Sequence, residues 1–312
     1  MKKIYTHTPV MTKEIIKFLN TKKNGIYIDA TFGYGGHSNA ILNHLGTNGK
    51  LYAIDRDPES KHRALKFGDS RLTFIQGNFS QIYHFSKKFN ILKKINGIVV
   101  DLGISSTQLD NPKRGFSFLY DGPLDMRMNP NDSITAASWL KKTNLTKLIH
   151  ILKTYGEERY AKKIACAIIK KNKECNIQNT LELSNIISKN IPNIHRKKHP
   201  ATKSFQAIRI FINDELNEIK KLLNNALNIL TPGGRLLVIS FHSLEDRIVK
   251  NFMKQHSCIL EIPNNLPIPE TIIQQQSKIK IKIIDKITPN STEIATNKRA
   301  RSAILRIAEL IS

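Results

Sequence analysis

The chain has 312 residues, 40% of them hydrophobic and 7% aromatic, which excludes a disordered chain and gives apolar mass for about two domains of ordinary size. Its 49 Lys and Arg against 25 Asp and Glu leave a formal charge of +24, so a polyanion is the expected class of macromolecular partner. The excess is carried by 36 Lys rather than 13 Arg, with 45 Ile and 28 Asn beside them; these residue types share A/T-rich codons, and nucleotide bias is an alternative source of part of the charge.

The first hundred residues alternate strand and helix patterns. Residues 25–30 read as a short buried strand, followed by a glycine-rich turn and a helix over about 36–45. Residues 50–55 form the next strand, and Pro58 opens a helix at a position where proline is tolerated. Residues 72–75 and 98–101 supply a third and a fourth strand. This alternation predicts a parallel sheet covered by helices. From 106 to 203 the strand pattern stops: 107–133 is loop-like, and helical patterns run over about 134–153, 157–172 and 180–190. A long amphipathic helix is expected from 205 to 230, then a buried strand at 235–240, a helix starting near Ser243 with Asp246 as capping partner, and strand-like stretches at 278–284 and 303–307. The organisation predicted is a discontinuous α/β domain, 1–105 with 205–312, interrupted by a mainly helical insertion, 106–204.

The three cysteines, Cys166, Cys175 and Cys258, make no Cys-x-x-Cys pair, so no disulfide framework and no metal site is expected. Lys2 and Lys3 are not followed by an apolar segment, and no run approaches the ~20 apolar residues of a membrane span. A cytoplasmic protein is expected.

Chemistry gathers at the predicted strand ends. Gly33, Gly35 and Gly36 follow the first strand, where a glycine turn lets backbone approach a ligand and frees helix N–H groups to bind it. The spacing departs from G-x-G-x-x-G because Ser38 takes the last place, and a purely structural turn is the alternative. Asp55 ends the second strand, twenty residues after Gly35, where an acid accepts hydrogen bonds from ribose hydroxyls; capping the following helix is its other reading. Phe79 follows the third strand and suits either an adenine pocket or the core. Asp101 ends the fourth strand, where ligands and reacting groups collect in open α/β sheets.

Longer motifs carry a resemblance. Residues 31–37, 55–58, 101–110, 114–118, 122–128, 156–158, 199–202, 205–207 and 240–247, with His7-Thr8-Pro9-Val10 and 299–303 at the two ends, resemble the RsmH (MraW) family of bacterial small-subunit ribosomal RNA cytosine-N4 methyltransferases. The resemblance spans nearly the whole chain. It implies a seven-stranded Rossmann-like methyltransferase domain with a helical insertion, 106–204, expected to serve rRNA recognition, S-adenosylmethionine as donor, and one cytidine amine in the decoding region of 16S rRNA as acceptor. It assigns the cofactor to Gly35, Gly36, His37, Asp55, Phe79, Asp101 and Gln108. Lys203, Lys298 and Ile304 depart from the family pattern; the last two touch RNA contact near the C-terminus rather than the cofactor site.

On this reading Asp101 is the catalytic candidate, with His242 and Glu245 as further pocket candidates. Phe116 and Phe118 suit either a wall for the splayed base or ordinary packing. Lys113, Arg114, the run 195–199 and the segment 298–301 are candidate phosphate contacts or a solvated charge run. A non-catalytic RNA-binding assembly factor and a methyltransferase for another nucleic acid are the competing functions. The partner expected is the small ribosomal subunit, with no membrane; a homodimer stays open.

Overall fold

The computed structural model describes residues 9–192, 199–257 and 280–311. The His7 and Thr8 end of the first motif and the basic residues His195, Arg196, Lys197 and Lys198 lie outside the described residues. The chain divides into two compact units, Met1–Gly103 with Leu216–Ser312, and Ile104–Glu215.

The first unit is built on one seven-stranded sheet. Its strands are β1 (Ile26–Asp29), β2 (Lys50–Asp55), β3 (Leu72–Gln76), β4 (Ile95–Asp101), β5 (Leu230–Ser240), β6 (Ile281–Ile287) and β7 (Ile304–Leu310), in the order β3-β2-β1-β4-β5-β7-β6. The first five are parallel, and β7 runs antiparallel to both β5 and β6. This is a Rossmann-like α/β fold whose last hairpin departs from the parallel pairing read in the first hundred residues.

The near-continuous apolar strands follow from burial on both faces. Ile28, Ile98, Val100, Leu236 and Val238 point into one core, with Leu222, Ala226, Val249 and Phe252 from the helices Glu215–Ile229 and Ser243–Ser257. Their strand neighbours Tyr27, Val99, Leu237 and Ile239 point into a second core, closed by Ile15 and Leu19 of Thr12–Leu19 and by Ile41 and Leu42 of Gly36–Leu42. One bulge interrupts the pattern. Between the pairs Ile95–Leu230 and Gly97–Arg235, residues 231–234 oppose a single residue of β4, and Pro232 and Gly233 (φ 74°) occupy the excess, as expected of a residue without an N–H and one free to adopt positive φ.

The second unit is helical and has its own core. Its longer helices are Ala136–Lys142, Leu145–Gly156, Ala161–Glu174, Thr180–Lys189 and Thr202–Asn213, packed through Trp139, Leu148, Leu152, Ile164, Ile168, Leu183 and Ile208.

Two predicted helices are each two. The pattern over 134–153 breaks at Thr143, because Asn144 caps a new helix by accepting from the Lys147 N–H. The pattern over 205–230 breaks at Asp214, whose φ of 50° ends the helix Thr202–Asn213 in the left-handed region. The cause is Asn213. Its buried amide accepts from the Met128 N–H at 2.7 Å and donates to the Met126 carbonyl at 2.8 Å, locking that turn to a distant loop.

Candidate active site

The strand order reverses beside β1, which has β2 on one side and β4 on the other. Open α/β sheets bind ligands at the carboxyl ends of the strands flanking such a reversal. Asp29, Asp55 and Asp101 end those three strands.

Asp29 is fully buried. Its Oδ1 accepts from the Thr31 N–H at 3.1 Å and its Oδ2 from the Ser38 hydroxyl at 2.7 Å. These two bonds fold the glycine turn back onto β1. Burial pushes the Asp29 pKa up, against the lowering effects of His37, Ser38 and Thr31. Within the turn, Gly33 and Gly35 take φ of 53° and 77°. A Cβ on Gly35 would lie 2.4 Å from the Phe67 ring and 2.8 Å from that of Phe32. Gly35→Ala is therefore expected to destabilise the turn by roughly 1–3 kcal/mol, from left-handed strain and the displaced rings. A lower melting temperature with weakened nucleoside binding is the signature; unchanged melting would contradict the strain argument.

His37 begins the next helix and is 4% exposed. Its Nε2 lies 3.6 Å from Asp101 Oδ2, an ion-pair distance longer than a hydrogen bond. Burial pulls the His37 pKa down, but Asp101, then Asp29 and Glu293, outweigh it and hold the ring above its ordinary value. Glu293 is fixed by the Met11 N–H, which donates to its Oε1 at 2.6 Å. Asp101 donates its backbone N–H to Thr31 Oγ1 at 2.7 Å. Its Oδ1 and both ring nitrogens of His37 are buried polar atoms without a hydrogen-bond partner among the described residues.

Asp55 holds the other side of the turn. Its Oδ2 accepts from the Gly33 N–H at 2.7 Å and the Ser60 hydroxyl at 2.8 Å, and its Oδ1 from the Asp57 N–H at 2.8 Å. Burial raises its pKa despite these bonds. Capping of the helix Pro58–Leu65 falls to Asp57, which accepts from the Glu59 N–H. With about four acceptor positions on a carboxylate, Asp55 has one left for an outside hydroxyl.

Phe79 is half-buried at the start of a short 3-10 turn capped by Asn78 and packs on the sheet core. Gln108 belongs to the second unit, where its Oε1 accepts from the Ser105 N–H and its own N–H donates to Ser105 Oγ. The structure thus gathers Gly35, Gly36, His37, Asp55 and Asp101 around the ends of β1, β2 and β4. It adds Asp29, Thr31, Ser38 and Glu293, which the sequence analysis does not assign to the site.

The remaining candidates have the following surroundings. Arg114 is not a surface phosphate contact: it is 8% exposed, and its Nη2 donates to the Arg127 and Met128 carbonyls at 3.1 and 2.8 Å. Phe116 is buried in the second unit's core, and Phe118 stacks on His199 with ring centroids 4.6 Å apart. Glu245 is fully buried, 3.1 Å from His242 Nε2, and its Oε2 accepts from the Phe241 N–H at 2.8 Å at the start of the helix Ser243–Ser257. The Asp246 carboxylate pairs with Arg306 of β7 at 2.7 and 2.9 Å.

The donor set fits an S-adenosyl nucleoside. A glycine turn offers backbone, an acid ends β2, and a carboxylate oxygen of Asp101 stays open where a cationic sulfonium is tolerated.

The sequence matches known proteins along nearly its whole length. Over 310 residues the chain is 56% identical to the ribosomal RNA small subunit methyltransferase H of Buchnera aphidicola subsp. Baizongia pistaciae, covering 99% of this chain and 98% of that one. It is 53% identical over 306 residues to the protein of the same name from Hamiltonella defensa, covering 98% of each. Among solved structures, a SAM-dependent methyltransferase from Aquifex aeolicus superposes with a TM-score of 0.38 at 10% identity, over 97% of this chain and 90% of that one. The model of the MraW methylase family matches residues 4–311. The chain belongs to the MraW methylase family.

Proposed function

We propose that the protein methylates the exocyclic N4 amine of one cytidine in the decoding region of small-subunit rRNA, with Asp101 orienting the acceptor. The observation that carries this reading is the end-to-end match to small-subunit rRNA methyltransferases in a chain whose strand-end acids and glycine turn are intact. S-adenosylmethionine supplies an electrophilic methyl group on a sulfonium.

The cytosine amine is a weak nucleophile because its lone pair is delocalised into the ring. Asp101, at the end of β4, accepts a hydrogen bond from that amine and draws the nitrogen toward tetrahedral geometry. Holding acceptor and donor aligned is worth several kcal/mol, up to ~7–11 in ideal cases. When the N–C bond forms and the S–C bond breaks, nitrogen becomes cationic and must lose one proton; the Asp101 carboxylate stabilises that charge and passes the proton to water. His37 keeps Asp101 in place by its ion pair and acts as a positioning residue. Asp55 and the glycine turn hold the nucleoside.

Incubation with labelled S-adenosylmethionine and small subunits that lack the modification tests the reading. Saturable label, about one methyl per subunit, is expected in the rRNA. Donor binding without transfer to subunits or to their rRNA would contradict it.

A further inference from the structure

We infer that a basic groove on the second unit, along the helix Ala161–Glu174, is a binding site for the rRNA phosphate backbone. This rests on the rRNA substrate proposed above and adds a surface to it. The groove is open and shallow, with a volume of about 610 Å³, and is lined by Arg159, Tyr160, Lys162, Lys163, Cys166 and Lys170, among others. Three features set it apart from a generally basic chain.

The first is pattern. Ala161, Ile164, Ala165 and Ile168 are buried, whereas Lys162, Lys163, Cys166 and Lys170 are exposed. At 3.6 residues per turn those four fall within an arc of about 100° on the face opposite the core, and Lys162 to Lys170 spans about 12 Å. That is a few nucleotides of a strand.

The second is the absence of internal partners. Several other cations of this unit are engaged: Lys171 lies 4.0 Å from Glu182, Lys203 donates to the Glu157 carbonyl, Arg127 pairs with Asp125 and Arg209 with Glu215; Lys141, Lys142, Lys153, Lys173 and Lys189 also form no ion pair among the described residues, but none of them lines the groove. Arg159, Lys162, Lys163 and Lys170 form no ion pair among the described residues. Four like charges on one concave face repel one another and gain from an outside polyanion.

The third is shape with an aromatic wall. Tyr160 is half-buried in the groove wall, offering a ring beside a phosphate track, the combination that single-stranded nucleic acid binders use. Nucleotide bias accounts for lysine abundance but not for cations collected on one unpaired concave face.

Cys166 makes the site readable. It is an exposed thiol among the cations, and Cys175, also exposed, lies outside the groove residues and serves as internal control. The experiment compares the full chain with a Lys162→Ala, Lys163→Ala, Lys170→Ala variant. It measures binding to unmodified small-subunit rRNA over about 50–200 mM salt, and Cys166 alkylation by peptide mass spectrometry with and without that RNA. The expected slope of log affinity against log salt becomes shallower by about 2, at ~0.7 per phosphate contact on a single strand. Cys166 alkylation slows several-fold on RNA binding relative to Cys175, and S-adenosylmethionine binding and melting temperature stay as in the parent. If the parent methylates subunits while the slope is unchanged and Cys166 stays unprotected, the groove assignment is overturned and the proposed function stands. If the parent neither binds this RNA nor methylates subunits, the proposed function fails and the groove assignment falls with it.

Discussion

Asp101→Ala is expected to slow methyl transfer by about 100- to 1,000-fold at saturating donor, the cost of removing a group aimed at charge that develops in the transition state. The expectation follows from three placements. Asp101 ends β4, beside the reversal in strand order. Its backbone is pinned by Thr31, so the carboxyl starts from a fixed point. One of its oxygens faces His37 and the other has no partner. Asp101→Asn keeps the shape and one acceptor but loses the charge, and should fall between the parent and the alanine variant. It also removes the largest influence that raises the His37 pKa. Single-turnover rates at saturating donor separate this from weakened binding. A turnover unchanged from the parent in Asp101→Ala would remove the orienting role.

The second large effect is on stability. Asp29→Ala removes both acceptors that tie the glycine turn back to β1, leaving the half-buried Thr31 N–H and the fully buried Ser38 hydroxyl unpaired. Each orphaned donor costs about 1–3 kcal/mol, so a loss of roughly 2–5 kcal/mol is expected in denaturant unfolding, with donor binding lost alongside. Asp29→Asn separates shape from charge. It keeps an acceptor for Thr31 while removing one of the carboxylates that raise the His37 pKa. The direction of the pH dependence is then fixed. A histidine whose folded pKa is raised stabilises the fold fully below its unfolded value near 6.5 and loses that contribution as pH climbs through the folded value. Asp29, raised by burial, has the same sign at lower pH: its proton is held more tightly in the folded state, so stability falls as pH rises from its unfolded value through the folded one. As pH rises above about 6.5 the parent should therefore lose more stability than Asp29→Asn. Equal losses would show that His37 is not held by Asp29.

Much of this was legible because the sheet is buried on both faces. Apolar stretches such as 50–55 and 235–240 have few other places to go, and the acids ending them stand out against that background. The helix breaks were less legible for a definite reason. Asn213 and Asp214 are polar residues in an amphipathic run, and the backbone groups that engage Asn213 lie 85 and 87 residues away in sequence. Arg114 misled in the same way: a cation beside Lys113 reads as surface, yet its partners are the carbonyls of a loop at 127–128. Within the site, Asp29 does not stand out in the sequence because it falls inside the strand read over 25–30. Its function as the turn's anchor depends on Ser38, nine residues on and across the glycine turn. Glu293 was invisible for a different reason, since only the folded chain brings it to His37 and Met11.

The most direct test of the central claim is the chemical identity of the methylated nucleoside. Small-subunit rRNA labelled by this protein would be digested to nucleosides and resolved by mass spectrometry against methylated standards. The account predicts N4-methylcytidine alone, at a single position. Label in 5-methylcytidine, in a ribose 2′-O-methyl group or in a methylated purine would contradict it, because none of those acceptors is an exocyclic cytosine amine that Asp101 would orient.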